Sequence, residues 1–141
     1  MALTHQPDPE VLVHDFGTWA LCLNRNQDLL GRCYLLLRRP CTDPMALSAE
    51  ELQALWRDAA KAKAALTRLF HPDHWNYAFL MNVDPQVHFH VIPRYRSSRT
   101  FHGAEFADPK FGGHYPLGPD RALDPSSLSA LRSAMAREIG R

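Results

Sequence analysis

Two histidines and an amide alternate with apolar residues over residues 86–93, which read Gln-Val-His-Phe-His-Val-Ile-Pro. Because successive side chains of a β-strand point to opposite faces, the alternation predicts a strand with Gln86, His88 and His90 on one face. The other face is then apolar and suited to a core, and its β-branched and aromatic residues favour a strand. The stretch therefore predicts two imidazoles and an amide in a row on one surface of a sheet.

Three interpretations fit this histidine pair. The first is a surface strand whose imidazoles only face water. The second is a metal site, because two histidines spaced this way on a strand can offer two ligands to Zn²⁺. The third is nucleophilic catalysis, because an imidazole with an ordinary pKa of about 6.5 is largely the free base near neutral pH. The spacing alone leaves all three open.

The composition predicts a single soluble domain over residues 1–141, with 45% apolar and 22% charged residues. A net charge of +1 provides no basic field, so we expect neither nucleic acid nor a membrane as partner. No apolar run reaches the roughly 20 residues of a membrane helix, and the N-terminus lacks a signal-peptide pattern. Cys22 and Cys33 fall within apolar runs and predict buried, reduced thiols in a cytoplasmic protein.

The hydrophobic pattern predicts the α+β class, with a mostly antiparallel sheet of about five strands. The strands are expected at residues 11–16, 18–24, 33–38, 76–83 and 87–92. Residues 1–10 hold two prolines and predict an extended arm, and residues 97–125 predict an irregular segment rich in glycine, proline and aromatic residues. Asp124 followed by Pro125 is typical of a helix start, which predicts a C-terminal helix over 126–140.

One long amphipathic helix is expected over residues 48–70, packed on the sheet. Ser48 and Glu51 have the spacing of a capping box, which marks its start. The helix should end before Pro72, since proline disfavours helix in the residue ahead of it. Its apolar residues recur at helical spacing and include Trp56, for which we predict a core position.

Asp84 and Pro85 predict a tight turn between the fourth and fifth strands. Such a turn pairs residues 76–83 with 87–92 in antiparallel fashion. Asn82 would then lie close to the start of the histidine strand, and its amide would lie beside the imidazoles.

The stretch 86–94 resembles the signature of the histidine-triad (HIT) family, in which three histidines alternate with apolar residues. Gln86 stands where the first histidine is usual, as in some bacterial members. The resemblance extends over about residues 10–96, with an Asn-Arg pair after a strand, a helix beginning Leu-Ser-Ala-Glu-Glu and a strand ending in Asn82. It implies the HIT-like fold and a two-fold homodimer.

The resemblance implies a nucleotide-binding hydrolase or nucleotidyl transferase that works through a nucleotidyl-histidine intermediate. By position, His88 is the nucleophile that attacks the α-phosphorus, and His90 supports the phosphate and the leaving group. Gln86 is expected to hold His88 in one tautomer; it cannot act as an acid, because an amide does not titrate.

The same resemblance implies three substrate-binding residues. Asn24 matches the residue that contacts the ribose, and Asn82 the residue that reaches the α-phosphate. Better-known members have a longer glycine-rich loop before the triad, so phosphate donors are expected from elsewhere: from Arg94, Arg96 or residues 97–118, of which Arg94 is the predicted substrate-binding residue. The expected substrate is a nucleoside polyphosphate or phosphoramidate that contains adenosine, such as a dinucleoside polyphosphate, and the reaction needs no cofactor or metal.

Two other functions are compatible with these residues. A nucleotide-binding module with little turnover is suggested by Gln86 and by the short connection before the histidines. A metal-binding protein would use His88 and His90, with a third ligand such as His102 or His114.

Overall fold

Five antiparallel strands form one sheet in the order β1-β2-β3-β5-β4 in the computed structural model, which describes residues 4–141. The elements are β1 Leu12–Asp15, β2 Trp19–Leu23, β3 Cys33–Leu37, α1 Ala49–Phe70, β4 His74–Phe79, β5 His88–Arg94, β6 Arg99–Phe101, β7 Ala104–Phe106 and α2 Pro125–Ile139. The predicted α+β class, with one long helix and a short C-terminal helix, is confirmed. No helix among the described residues is long and apolar enough to span a membrane.

The sheet places β5 between β3 and β4, and every residue of β5 is buried. Phe89 of β5 meets Trp56 of α1 edge-on, with ring centroids 5.6 Å apart. Because side chains alternate along a strand, His88 and His90 point to the opposite face of the sheet, away from α1. The alternation read from the sequence therefore decides which face carries the imidazoles.

The start of α1 follows the predicted capping box. Ser48 Oγ accepts a hydrogen bond from the main-chain N–H of Glu51 at 3.1 Å, and the Glu51 carboxylate accepts one from the N–H of Ser48 at 2.8 Å. The helix ends at Phe70, and His71 has a left-handed φ of 50° ahead of Pro72. Both ends therefore lie where the cap and the proline require.

The predicted core position of Trp56 is wrong, since 62% of this residue is exposed. The face of α1 that packs on the sheet is formed by smaller side chains, among them Leu55, Ala59 and Ala62. Helical geometry places Trp56 beside this face, where only one edge of its ring covers Phe89. An apolar residue at helical spacing is thus left at the surface.

The tight turn predicted between β4 and β5 is also wrong. Phe79 pairs with Phe89, so β4 ends four residues earlier than expected and residues 80–87 form the connection. The chain leaves the sheet at Met81, whose φ of 45° lies in the left-handed region. Pro85 has no N–H with which to resume the ladder.

The described part of the N-terminal arm, residues 4–10, bends back over the domain and is not extended; residues 1–3 lie outside the described residues. Asp8 forms an ion pair with Arg25 at 2.6 Å. The carbonyl of Pro9 accepts a hydrogen bond from Arg132 of α2 at 2.8 Å. These contacts tie the arm to the sheet and to the C-terminal helix.

The predicted irregular segment contains one short hairpin, formed by β6 and β7. Its two turn residues, His102 and Gly103, have φ values of 50° and 79°, as a two-residue type I′ turn requires. Three-residue strands are too short to show a period of two in the sequence. The C-terminal helix begins after Asp124, whose carboxylate accepts a hydrogen bond from the N–H of Ser127 at 3.2 Å.

Candidate active site

One nitrogen of His88 is fixed by the main chain. Its Nδ1 lies 2.7 Å from the carbonyl oxygen of Gln86. A carbonyl oxygen only accepts hydrogen bonds, so Nδ1 carries the proton and Nε2 holds the lone pair. His88 is only 5% exposed but lines a cavity, and Nε2 has no hydrogen-bond partner in the described part of the chain, so Nε2 is the nitrogen left available to a ligand there.

This first cavity has a volume of about 550 Å³ and lies on the histidine face of the sheet. Its walls come from the N-terminal arm, the end of β2, β3, β5 and the connection before β5. The lining residues are Thr4, Gln6, Asp8, Pro9, Val11, Asn24, Arg25, Tyr34, Leu36, Asp84, His88 and His90. The cavity is large enough for a nucleoside monophosphate.

The ring of His90 lies beside that of His88, with centroids 4.7 Å apart, and Tyr34 contacts both rings from β3. Burial, with smaller contributions from the nearby His88 and Arg32, lowers the pKa of His90 to about 4. Its Nδ1 is buried without a partner in residues 4–141. His90 is therefore neutral at pH 7 and poorly suited to donate a proton.

The side chain of Gln86 points away from the cavity. Its amide donates to the carbonyls of Leu37 at 3.0 Å and Arg39 at 2.7 Å, and accepts from the N–H of Cys41 at 3.2 Å. The orienting role predicted for the Gln86 amide thus falls to its main-chain carbonyl, whereas the amide ties β5 to the segment after β3. Nothing in the sequence distinguishes these two uses.

Asn24 follows β2 and lines the first cavity, where the sequence predicts the ribose contact. Its side-chain oxygen accepts a hydrogen bond from the N–H of Asn26 at 3.0 Å. This turn fixes the side chain and leaves the amide N–H₂ without a partner in the described structure. Its role toward a nucleotide stays a prediction.

Asn82 is not among the residues that line the first cavity with the imidazoles. It belongs to the connection 80–87 and lines a second cavity of about 420 Å³, together with Arg32 and Tyr115. The expected place at the end of a strand is wrong, because β4 ends at Phe79. The contact of Asn82 with the α-phosphate stays a prediction.

Arg94 is fully engaged within the protein, which contradicts its predicted role as a phosphate donor. Its five N–H donors make five hydrogen bonds, two of them to the carboxylate of Asp108. The others go to Asn76 and to the carbonyls of Lys110 and Gly113. Arg94 is buried and anchors the irregular segment to the end of the sheet.

Two parts of the cavity wall were missed from the sequence. Tyr34 pairs with His90 across β3 and β5, so correct strand pairing would have placed it on the histidine face. The arm residues Gln6 and Asp8 also line the cavity, and no periodic pattern marks them.

The third ligand of the metal-binding alternative is not supplied. His102 lies 3.3 Å from Ser126 Oγ, and His114 lines the second cavity. Within residues 4–141, no group of three or more His, Cys, Asp or Glu side chains is placed to hold a metal ion.

Replacing Arg94 tests the structural role of this residue. Arg94→Gln should lower the free energy of unfolding by about 3–5 kcal/mol, because it leaves the Asp108 carboxylate buried without its cation. Chemical denaturation measures this loss. Arg68→Gln, which removes an exposed pair with Glu138, should cost about 1 kcal/mol or less. A stable Arg94→Gln protein that has lost nucleotide binding would instead support the prediction that Arg94 contacts the substrate.

The lowered pKa of His90 predicts acid sensitivity. Between about pH 6.5 and pH 4 the unfolded chain binds a proton at this residue that the folded chain excludes. Stability should be complete above pH 6.5 and fall by about 3 kcal/mol as the pH drops to 4. The free energy of unfolding, measured across this pH range, should fall less steeply with decreasing pH in His90→Asn than in the wild type. The exposed His74, changed to Asn, is the control, and an unchanged slope in His90→Asn would contradict the assignment.

Comparisons with known proteins agree with this geometry. A family model described as HIT domain matches residues 8–97. No curated protein matches the chain by sequence.

The fold is shared with solved histidine triad proteins. One from Bradyrhizobium japonicum is 22% identical with a TM-score of 0.73, and the match covers 92% of this chain and 90% of that one. One from Sinorhizobium meliloti is 16% identical with a TM-score of 0.75, over 91% and 88% of the two chains. One from Marinobacter aquaeolei is 19% identical with a TM-score of 0.71, over 92% and 88%. The match to the family model spans more than half of the chain. The chain therefore belongs to the histidine-triad (HIT) family.

Proposed function

We propose that this protein is a nucleotide hydrolase or nucleotidyl transferase that cleaves its substrate at the α-phosphate, with His88 as the nucleophile. The observation that carries the proposal is the orientation of His88. The hydrogen bond from Nδ1 to the Gln86 carbonyl leaves the Nε2 lone pair facing the cavity. A nucleophile needs an available lone pair on an atom that the substrate can reach, and Nε2 meets both conditions.

The reaction proceeds in two displacements. The Nε2 lone pair attacks the α-phosphorus, the bond from phosphorus to the leaving group breaks, and its electron pair departs with that group. The imidazole becomes positively charged, and the Gln86 carbonyl dipole stabilises the charge through the Nδ1–H bond. Water or another hydroxyl then attacks the phosphorus, the P–N bond breaks, and its electrons restore the lone pair while the incoming oxygen loses its proton.

The first cavity supplies surfaces suited to a nucleoside. Pro9, Val11 and Leu36 form apolar walls for a base, which we propose is adenine in keeping with the family resemblance. The amide of Asn24 is available for the ribose hydroxyls. Tyr34 packs against both imidazoles and limits their movement.

We also propose a homodimer formed through β4. This strand is an edge of the sheet, so one row of its backbone groups is unpaired. Tyr77, which is 43% exposed, and Trp56, which is 62% exposed, form an aromatic surface beside it. A second copy related by a two-fold axis would pair the same edge in antiparallel fashion and cover both rings.

His88→Ala tests the nucleophile. Wild-type protein mixed with a dinucleoside polyphosphate should gain the mass of one nucleoside monophosphate per chain, measured by mass spectrometry after rapid acid quenching. The variant should gain none while it still binds the nucleoside monophosphate, because the change removes the attacking nitrogen and leaves the cavity walls. His74→Ala, an exposed histidine outside the cavity, should label normally. A labelled His88→Ala protein would exclude this residue, and a wild type that binds nucleotide without labelling or turnover would indicate a binding module.

Tyr77→Glu tests the dimer. A carboxylate on this surface would be buried against its copy across the axis, so the variant should elute as a monomer in size-exclusion chromatography with light scattering. Met45→Glu is the matched control, since Met45 is 89% exposed and lies outside the sheet. Equal masses for Tyr77→Glu and the wild type would contradict this interface.

A further inference from the structure

Three buried polar atoms without hydrogen-bond partners lie around one arginine. Only four buried side-chain nitrogen or oxygen atoms of residues 4–141 lack a partner, and three of them are Asp28 Oδ2, Arg32 Nε and His90 Nδ1. Asp28 and Arg32 are joined by an ion pair of 2.9 Å. Arg32 directly precedes β3 and shares a face with Tyr34, whose partner on β5 is His90. Buried polar groups are normally satisfied, so this cluster is incompletely bonded. The N–H of Arg32 is a donor that an anion can use, whereas the Asp28 oxygen only accepts.

Arg32 differs from Arg94 in how its donors are used. All five N–H groups of Arg94 are bonded within the protein, whereas Arg32 makes a single side-chain hydrogen bond, from Nη1 to Asp28. The side chains of Arg32 and Asp28 are each 10% exposed, so the guanidinium is held in place and largely desolvated. Arg32 also lines the second cavity, while its Nε–H is buried without a partner among residues 4–141.

The second cavity adjoins the first. Asn24 lines the first and Asn26 the second, and a hydrogen bond of 3.0 Å joins the two residues. Asp84 and Asn82, two residues apart in the connection before β5, line the first and second cavities respectively. Arg32 lines the second cavity and His90 the first, and the charge of Arg32 acts on His90.

The far wall of the second cavity comes from the irregular segment. The ring of Tyr115 lies 5.3 Å from the Arg32 guanidinium, and Leu117 is 86% exposed. A planar ring, an arginine and an open mouth suit a phosphate group followed by a further organic moiety.

We propose that the second cavity holds the leaving group and that Arg32 binds its phosphate, so that the substrate is a phosphoanhydride. This inference rests on the proposed attack by His88. When Nε2 of His88 forms its bond to the α-phosphorus, the P–O bond to the leaving phosphate breaks. The electron pair stays on that oxygen, where the guanidinium stabilises it by charge-assisted hydrogen bonds.

The state of His90 supports a phosphate leaving group over an amine. An amine must gain a proton as it departs, and the low pKa of His90 leaves that residue without a proton to give at pH 7. A phosphate departs as a stable anion and needs only a cation beside it. Arg32 is a cation at that place; Nη1 donates to Asp28, and the other guanidinium nitrogens have no partner among residues 4–141.

Two substrates separate this role from general effects on catalysis. Diadenosine triphosphate releases ADP, which would fill the second cavity, whereas the p-nitrophenyl ester of AMP releases a phenolate without phosphate. The readout is the ratio of kcat/KM for the first substrate to that for the second. Arg32→Gln should lower this ratio by about 100-fold, and Arg32→Lys should restore part of it, because lysine keeps the charge but not the fork of donors. Arg68→Gln removes an exposed ion pair between α1 and α2. It is the control and should leave the ratio unchanged.

Leu117 provides a second test that does not disturb the buried ion pair. Leu117→Glu places a negative charge at the mouth of the second cavity and should lower the ratio several-fold, whereas Leu117→Lys should raise it. These changes at an exposed position should leave the fold intact, so the test stands even if Arg32→Gln fails to fold.

The outcomes distinguish the two proposals. A wild type that neither substrate labels and that turns over neither substrate refutes the nucleophilic role of His88, and the leaving-group assignment is then refuted as well. A wild type labelled by both substrates, with no label on His88→Ala, upholds His88. If the ratio is then unchanged in Arg32→Gln and in both Leu117 variants, Arg32 and the second cavity have no part in binding the leaving group.

Discussion

The hydrogen bond between His88 Nδ1 and the Gln86 carbonyl is the interaction on which the site depends. It determines which imidazole nitrogen carries the proton and therefore which one faces the cavity. The bond requires the chain at residue 86 to approach the ring of residue 88. The Gln86 amide holds it there through three hydrogen bonds, one to the last residue of β3 and two to the segment after it. Because every residue has a main-chain carbonyl, glutamine in place of the usual first histidine leaves this orienting bond intact.

Two arginines near the histidine strand show that burial and bonding, more than charge, determine what a cation can do. Arg94 is enclosed with Asp108 and its donors are saturated, so it stabilises the junction between the sheet and the irregular segment. Arg32 is nearly as buried, but its single side-chain bond leaves donors for a ligand. Desolvation makes such donors strong electrostatic partners, because water does not compete for them.

The parts of the chain without regular structure complete the cavities. Residues 4–10 form a wall of the first cavity through contacts with Arg25 and Arg132. Residues 114–117 form a wall of the second. The sheet therefore supplies rigid positions for His88 and His90, while segments that the periodic pattern does not describe shape the space in front of them.

The sequence by itself determined the α+β class, the capped start of α1 and the face of β5 that carries His88 and His90, because these follow from local periodicity and capping chemistry. It did not determine the end of β4, the exposure of Trp56, or the positions of Asn82 and Arg94. Those depend on strand pairing, helix rotation and long-range hydrogen bonds, such as those from Arg94 to Asp108 fourteen residues away. Tertiary structure alone decided that the Gln86 carbonyl orients His88 and that Arg32 has N–H donors without partners. Residue types do not specify which main-chain groups come into contact or whether a buried donor is hydrogen-bonded.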